Sequence, residues 1–264
     1  MATWSSRRKF IYGGSIIAVI LLIIFSVFFS IFYKSPTCTD GIRNGGEQDV
    51  DCGGKCIKLC QSAFLPAKIK WGGGKYEKIA DGLYNVASYI INPNTGGAAV
   101  SVPYKFTLYD EAGILITEKR GVVTLPAHRN ALAFESAVNV GKRNLSKVTF
   151  EFTKQPQWFK SHDSLNGLSV LDKKYAEEGN GSYEERGSSL EVTLENRNLL
   201  PYNNITVSAV LYDNQDNAIG FSRTKIDSIN SQEPVSAFFT WPSSRQGKVT
   251  SIEIFPSSEA IRDR

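Results

Sequence analysis

The residues best placed to do chemistry are four cysteines, Cys38, Cys52, Cys56 and Cys60. They are the only thiols in the chain and they fall within one short stretch, spaced C-x13-C-x3-C-x3-C. Such a cluster either binds a metal as thiolates or closes as disulfides. Zinc knuckles favour C-x2-C pairs and a reducing compartment, which this spacing does not suggest. An even number of clustered cysteines outside the cytoplasm reads as two disulfides, with three connectivities open. Between and around them lie five oxygen-bearing side chains, Asp40, Asn44, Glu47, Asp49 and Asp51, with glycines at 41, 45, 46, 53 and 54. Glycine permits the tight left-handed turns that such a segment needs. Two readings stand side by side. The acids either cap turns in a solvated loop stapled by disulfides, or they are candidate calcium ligands, since calcium takes six to eight oxygens from tight loops. The spacing is not that of an EF-hand.

Other reactive residue types are scarce. Ser161, His162 and Asp163 are adjacent, and neighbours on one segment do not converge as a catalytic triad does. His128 has no partner in sequence. Gly72-Gly73-Gly74 lacks the Lys-Ser/Thr and the following helix of a phosphate loop. The expectation is a protein that is not an enzyme. Trp158, Phe159 and Trp241 sit beside prolines near domain ends, where they are candidate contacts for a partner or plugs for a core. The sequons at Asn144, Asn180 and Asn204 are no more than chance supplies.

The elements that position these residues begin with an apolar run. Phe10 to Tyr33 holds 24 residues and no charge. As a helix it is about 36 Å long, enough for a ~30 Å hydrocarbon core. Arg7, Arg8 and Lys9 precede it and Lys34 follows, so the positive-inside rule puts the N-terminus in the cytoplasm and the rest outside. Bulky residues at the end of the run disfavour a cleavage site. The expected partner of residues 10–33 is therefore the lipid of the plasma membrane. Residues 1–34 account for the whole net charge of +4, leaving 26 basic and 26 acidic residues beyond them. That balance argues against nucleic acid as a partner.

Beyond residue 64 a pattern recurs at an offset of 103. Val102, Tyr104, Phe106, Leu108, Tyr109 and Asp110 fall on Ile205, Val207, Ala209, Leu211, Tyr212 and Asp213. The period is two, with Val100 to Leu108 inward and Ser101, Lys105 and Thr107 outward. In the second copy Thr206 and Ser208 are outward. Further strands are expected at 67–71, 83–91, 114–124, 131–138, 147–153, 168–172, 189–195, 218–226, 235–241 and 249–255. About seven short strands per copy and no strong helix predict tandem immunoglobulin-like β-sandwiches. Residues 154–189 read as a linker at their widest, with a hairpin tip at Gly179–Ser182.

Two resemblances follow from these residues. Residues 38–56 resemble a short module of bacterial surface and secreted proteins, C-x-D-G-x-x-N-x-x-E-x-D-V-D-C-G-G-x-C, which implies an extracytoplasmic spacer without catalysis. Phe106-Thr107-Leu108-Tyr109-Asp110 resembles the motif of the FxLYD domain, a bacterial extracytoplasmic β-sandwich. The second copy keeps Leu211, Tyr212 and Asp213 but has Ala209 in place of Phe. Asn92-Pro93-Asn94 resembles the related late-embryogenesis-abundant sandwiches. These resemblances imply binding or structural modules. The expected organisation is mainly β: 1–34 cytoplasmic stub and anchor, 35–63 cysteine-rich spacer, 64–160 first sandwich and 161–264 second. The expected role is a non-catalytic binding or scaffolding ectodomain that meets an envelope protein or glycan. A subunit of an envelope assembly and an accessory carbohydrate-binding or adhesion module are the alternatives.

Overall fold

The computed structural model describes residues 4–33, 35–161, 165–178, 187–242 and 247–258. It divides into two compact units, residues 1–56 and 57–264.

The first unit opens with helix α1, Trp4–Phe32. Residues Arg8–Phe32 form a span apolar on every side, none of it covered by the rest of the chain. A helix satisfies its own backbone hydrogen bonds, which is what a segment of this composition requires in hydrocarbon. It is long and apolar enough to cross a membrane. The remainder of the unit is a glycine-rich loop closed by disulfides.

The second unit is antiparallel β throughout. After a short β1 (Lys68–Ile69) come β2 (Lys75–Ala80), β3 (Leu83–Ile91), β4 (Gly97–Asp110), β5 (Leu115–Leu125), β6 (Ala131–Asn139), β7 (Leu145–Phe152) and a short β8 (Phe159–Lys160). Then follow β9 (Leu168–Glu178), β10 (Gly187–Asn196), β11 (Tyr202–Tyr212), β12 (Ala218–Ile229), β13 (Pro234–Trp241) and β14 (Ser251–Ser258). Strand β3 pairs with β2 and β6, and β4 pairs with β5 and β7. Likewise β10 pairs with β9 and β13, and β11 with β12 and β14. Each set of sheets therefore has the same pairing order, arranged as a sandwich.

Local chemistry repeats as closely. Asp110 Oδ1 accepts the amides of Ala112 and Ile114 at 3.1 and 2.8 Å. Asp213 Oδ1 accepts those of Gln215 and Asn217, both at 2.8 Å. Asn92 Nδ2 donates to the carbonyls of Gly97 and Pro126, while its Oδ1 accepts the amide of Asn94. Asn196 does the same with Leu200, Ile229 and Asn198. Asx turns of this kind fix a connection without help from outside the loop.

The first core gathers Val86, Ile90, Val102, Tyr104, Phe106, Leu108, Leu125, Val148 and Phe150. The second gathers Leu190, Val192, Leu194, Ile205, Val207, Leu211, Phe239 and Trp241. Besides Thr107, expected outward but buried, two details depart from the expected alternation. Ser101 has a φ of +49° at a register shift, so Ala99 and Val102 both turn inward and Val100 does not. A bulge moves every residue on one side of it to the other face. Second, Ser208, expected outward into solvent, is buried. The reason is a third cluster, in which Ala87, Tyr89, Leu132 and Phe134 of one sheet meet Val210, Tyr212, Phe221 and Phe255 of another. The sheet β2-β3-β6 lays its outward face on that of β12-β11-β14. Strand β3 is thus buried on both sides from Tyr84 to Ile90, and β11 from Val207 to Tyr212. The expected linker also shrinks, since β8 and β9 lie inside residues 154–189. The expected tip at Gly179–Ser182 lies outside the described residues.

Candidate functional site

The cysteine-rich loop is built by its own backbone. Cys38 and Cys56 form one disulfide, with Cα atoms 5.6 Å apart. Cys52 and Cys60 are disulfide-bonded too, so no thiol is free. Asp40 accepts the amides of Thr37 and Ile42 and the side-chain amide of Asn44, at 3.1, 2.9 and 3.0 Å. The Asn44 bond, then the backbone amides, hold its carboxyl below the usual carboxylate range. Both oxygens of Asp51 accept the amide of Gly41. Glu47 accepts the amides of Asn44 and Asp51, and Asp49 that of Val50. Gly54 is obligatory, since a Cβ there would stand 1.8 Å from the carbonyl oxygen of Gly46.

The five side chains offered as calcium ligands lie in one loop, and Asn44 Oδ1 is buried there without a hydrogen-bond partner. Among the described residues the one group of three close ligand atoms is Cys38, Glu47 and Cys56, and its two sulfurs are bonded to each other. Each of the four acids instead aims oxygen at backbone amides, which is the chemistry of turn capping.

The aromatic contacts need a plainer correction. Trp158 and Trp241 are 1% and 2% exposed, so neither offers a surface. Trp158 closes the first core against Phe64, with ring centroids 5.6 Å apart, and Trp241 lies 6.3 Å from Phe239 in the second. A large aromatic next to proline reads as a surface feature in sequence, but burying 150–250 Å² of ring is worth more inside a core. Phe159 is half-buried in the β8 ladder, opposite Ala98 and Lys58. That ladder is where residues 57–60 are tied down. The amide of Lys160 donates to the carbonyl of Ile57, and that of Leu59 to Trp158.

Of the remaining reactive residues, His128 is exposed at a φ of +60°. Ser161 is buried with its amide on the carbonyl of Gly96, while His162 and Asp163 lie outside the described residues. Gly72 and Gly73 turn the chain toward β2, and the carbonyl of Gly73 accepts the Ser88 hydroxyl.

The most worked polar chemistry lies where the two sandwiches meet, and sequence reading missed it. Glu253 accepts the hydroxyls of Tyr89 and Tyr212 at 2.8 and 3.0 Å, one on each oxygen. Asn130 donates to the Tyr89 oxygen, and Lys70 stands over its ring at 4.6 Å. Burial first, then the Glu253 carboxylate, pushes both phenols well above their ordinary range. Beside them Glu77, 6% exposed, accepts the amide of Phe221 at 2.9 Å. Asn85 donates to the carbonyl of Phe221 and accepts the amide of Ala137, whose φ of +51° marks a bulge in β6. In sequence, Glu253 alternates with apolar neighbours and looks like a solvent-facing strand residue, while Glu77 lies between Tyr76 and Lys78 in a charged stretch. The one signal is at Glu253, which sits mid-strand in a stretch otherwise able to be buried.

A groove of about 630 Å³ runs beside this junction, lined by Lys75, Tyr76, Lys78, Lys147, Asp213 and Asn217 among others. Lys78 and Lys147 are exposed and Lys75 is half-buried; Lys78 pairs with Asp81 at 2.8 Å.

No protein-family model matches the sequence, and no curated protein matches it. Solved structures with some likeness include a β-glucuronidase from glycoside hydrolase family 2, at 11% identity and a TM-score of 0.27. It is matched over 85% of this chain and 29% of its own. A Bacteroides uniformis β-glucuronidase gives 8% identity and a TM-score of 0.26, over 63% of this chain and 22% of its own. A putative β-galactosidase from Bacteroides fragilis gives 12% and 0.20, over 73% and 41%. The chain spans less than half the length of each of these proteins.

Proposed function

We propose that this protein is a single-pass, membrane-anchored scaffold or binding protein of the cell envelope. Its N-terminus is cytoplasmic and its β domains are extracytoplasmic. The observation that carries the reading is the buried junction around Glu253, Tyr89, Tyr212 and Phe221. It couples two sandwiches into one body on the same chain as an apolar 25-residue span. A body of fixed shape at a membrane presents surfaces in fixed geometry and at high local concentration, which is what a scaffold supplies. The matched pairing orders and the equivalent Asp110/Asp213 and Asn92/Asn196 turns support a tandem repeat of FxLYD-like sandwiches. The disulfides support an oxidising, extracytoplasmic setting. The self-capped acids favour a cysteine-rich spacer over an ion site. An extended aromatic platform, which a carbohydrate-binding sandwich would use, finds little support. Phe238 and Tyr76 are the exposed rings of the described part of residues 57–264, and they belong to different sandwiches.

The test is crosslinking in intact cells through a C-terminal affinity tag, followed by mass spectrometry. One or two envelope proteins recovered in fixed ratio are expected. Recovery in fixed stoichiometry with a large complex would make the protein a structural subunit, and scattered recovery would remove the scaffold reading.

A further inference from the structure

The two sandwiches meet through unlike faces. The first uses the outward face of β2-β3-β6 and the second that of β12-β11-β14. By pairing order β3 corresponds to β10 and β4 to β11. Each sandwich therefore keeps free the type of face that the other has used, β5-β4-β7 on the first and β9-β10-β13 on the second. An interface between unlike faces is heterologous, and nothing in it limits the number of units joined to two.

Register carries the correspondence down to single residues. In the junction Arg223, opposite Ser208 on β11, stands 5.2 Å from the ring centre of Phe134, which lies opposite Ala87 on β3. Lys105 holds the place of Ser208 on β4, and the residue opposite it is Arg120. Glu191 holds the place of Ala87 on β10, counted back from the equivalent Asn92 and Asn196, and the residue opposite it is Phe238. The cation–π pair of the junction thus occurs a second time with its halves apart, the arginine on one free face and the ring on the other. Both are open to solvent. The Arg120 side chain is 74% exposed, leaning on Glu118 at 3.5 Å, and Phe238 is 65% exposed. The other junction positions have turned polar. Glu118 and Glu151 stand where the second sandwich has Phe221 and Phe255, and Ser236 stands where the first has Leu132.

We infer that these faces are the two halves of a head-to-tail contact between copies of this chain, with Arg120 of one copy over Phe238 of the next. The inference rests on the reading of an anchored pair of repeated sandwiches. A second copy is the occupant because it alone brings the arginine in the register that the ring already meets inside the chain. Charge agrees with it. Lys105 and Glu191, opposite in sign, take the places of Ser208 and Ala87, both buried in the junction. Arginine and aromatic rings are also the residues that carry binding energy at interface centres. The polar exchange makes this contact reversible where the junction is permanent. Two three-stranded polar faces fit the small, transient class of interface, under about 1,200 Å². Anchoring both copies in one bilayer raises their effective concentration and offsets that weakness.

The test is thiol crosslinking of the full chain in phosphatidylcholine/phosphatidylglycerol vesicles, where the protein has no free cysteine of its own. One population carries Val122→Cys and another Thr240→Cys. Both sites are exposed, and they hold the places of Lys225 and Ser136, which line the cleft beside the Arg223–Phe134 pair. A short bismaleimide should join the mixed populations and leave each population alone uncrosslinked. Arg120→Ala or Phe238→Ala should lower the mixed yield about two- to fivefold, as for an exposed cation–π pair. Equal yields from the mixture and from either population alone overturn the inference, since random collision or a like-face dimer gives that result. A mixed yield indifferent to both alanine variants overturns it as well. No crosslink from chains that resist alkaline carbonate extraction overturns it and leaves the anchor standing. Release of the chain by carbonate removes the anchor and the contact that depends on it.

Discussion

Strands β4 and β11 occupy equivalent places in their sandwiches, yet they live in different solvents. Both turn an apolar row inward, Val102, Tyr104, Phe106 and Leu108 in one and Ile205, Val207, Ala209 and Leu211 in the other. Their outward rows part company. Lys105 on β4 bonds Glu118 and Glu151 at 2.8 and 3.1 Å, and Arg120 stands beside Glu118, a charged lattice in water. On β11 the outward residues Ser208, Val210 and Tyr212 lie beneath the first sandwich. The inward face makes a sandwich, and the outward face decides whether that sandwich stands alone. A strand covered on both sides loses its alternation and reads as a continuous apolar run.

The comparison can be broken hardest at Phe221, which is fully buried on the covered side and touches Trp71 at a centroid distance of 5.7 Å. Phe221→Ala should cost about 3–5 kcal/mol, the range for a large aromatic removed from a packed core. Chemical denaturation of the full chain in detergent checks it. A loss no larger than that of an exposed substitution would mean that the two sandwiches do not depend on the junction.

Next comes the carboxylate that two phenols share. Tyr212→Phe removes one donor to Glu253 and should cost about 1.5–3 kcal/mol, as for a hydrogen bond to a charged group. The same site sets a pH window. Tyr89 and Tyr212 have folded-state values raised above the unfolded value of about 10. Their contribution is full below that pH and is lost as pH rises past it. Melting temperature should fall above about pH 10, and the Tyr89→Phe/Tyr212→Phe pair should fall less steeply from its lower start. Tyr104, raised by burial and then Glu135 in the first core, keeps the slope of that double variant from vanishing. An identical slope in both proteins would exclude the junction as its source.

These expectations mark where sequence stops being informative. The inward rows were legible because period two survives any choice of partner, and β3 at 83–91 and β6 at 131–139 lie where alternation puts them. Strand β2 was not legible. Lys75, Glu77 and Lys78 give it the charge of a loop, and Glu77 enters the protein only because the amide of Phe221, 144 residues away, waits for it. The bulge at Ser101 is silent in sequence, since serine carries no preference for a positive φ. In the cysteine-rich loop the residues and glycines were all legible, but acids that cap amides and acids that bind calcium have the same composition. Only the direction of the oxygens separates them. Trp158 and Trp241 teach the related point that position near a domain end does not mean exposure.

A smaller effect is expected at Asn85, which holds Phe221 from one side and the strained amide of Ala137 from the other. Asn85→Ala leaves the buried carbonyl of Phe221 and the amide of Ala137 without that partner, at about 1–3 kcal/mol. The loss should be coupled to Phe221→Ala in a double-mutant cycle, because the two share one contact. Strict additivity would place Asn85 outside the junction.

The smallest effect sharpens the comparison from the solvent side. Lys105→Ala breaks two ion pairs at once, more bonds by count than Tyr212→Phe breaks. Yet Lys105 is half-buried and pairs with partners that reach water, where Coulomb attraction is screened and the long side chain must be held still for it. The denaturation midpoint should stay within experimental scatter of the parent, and added salt should not separate the two proteins further. Should Lys105→Ala match Tyr212→Phe, the outward face of β4 would be as structural as that of β11. The sheet β5-β4-β7 would then need a cover of its own.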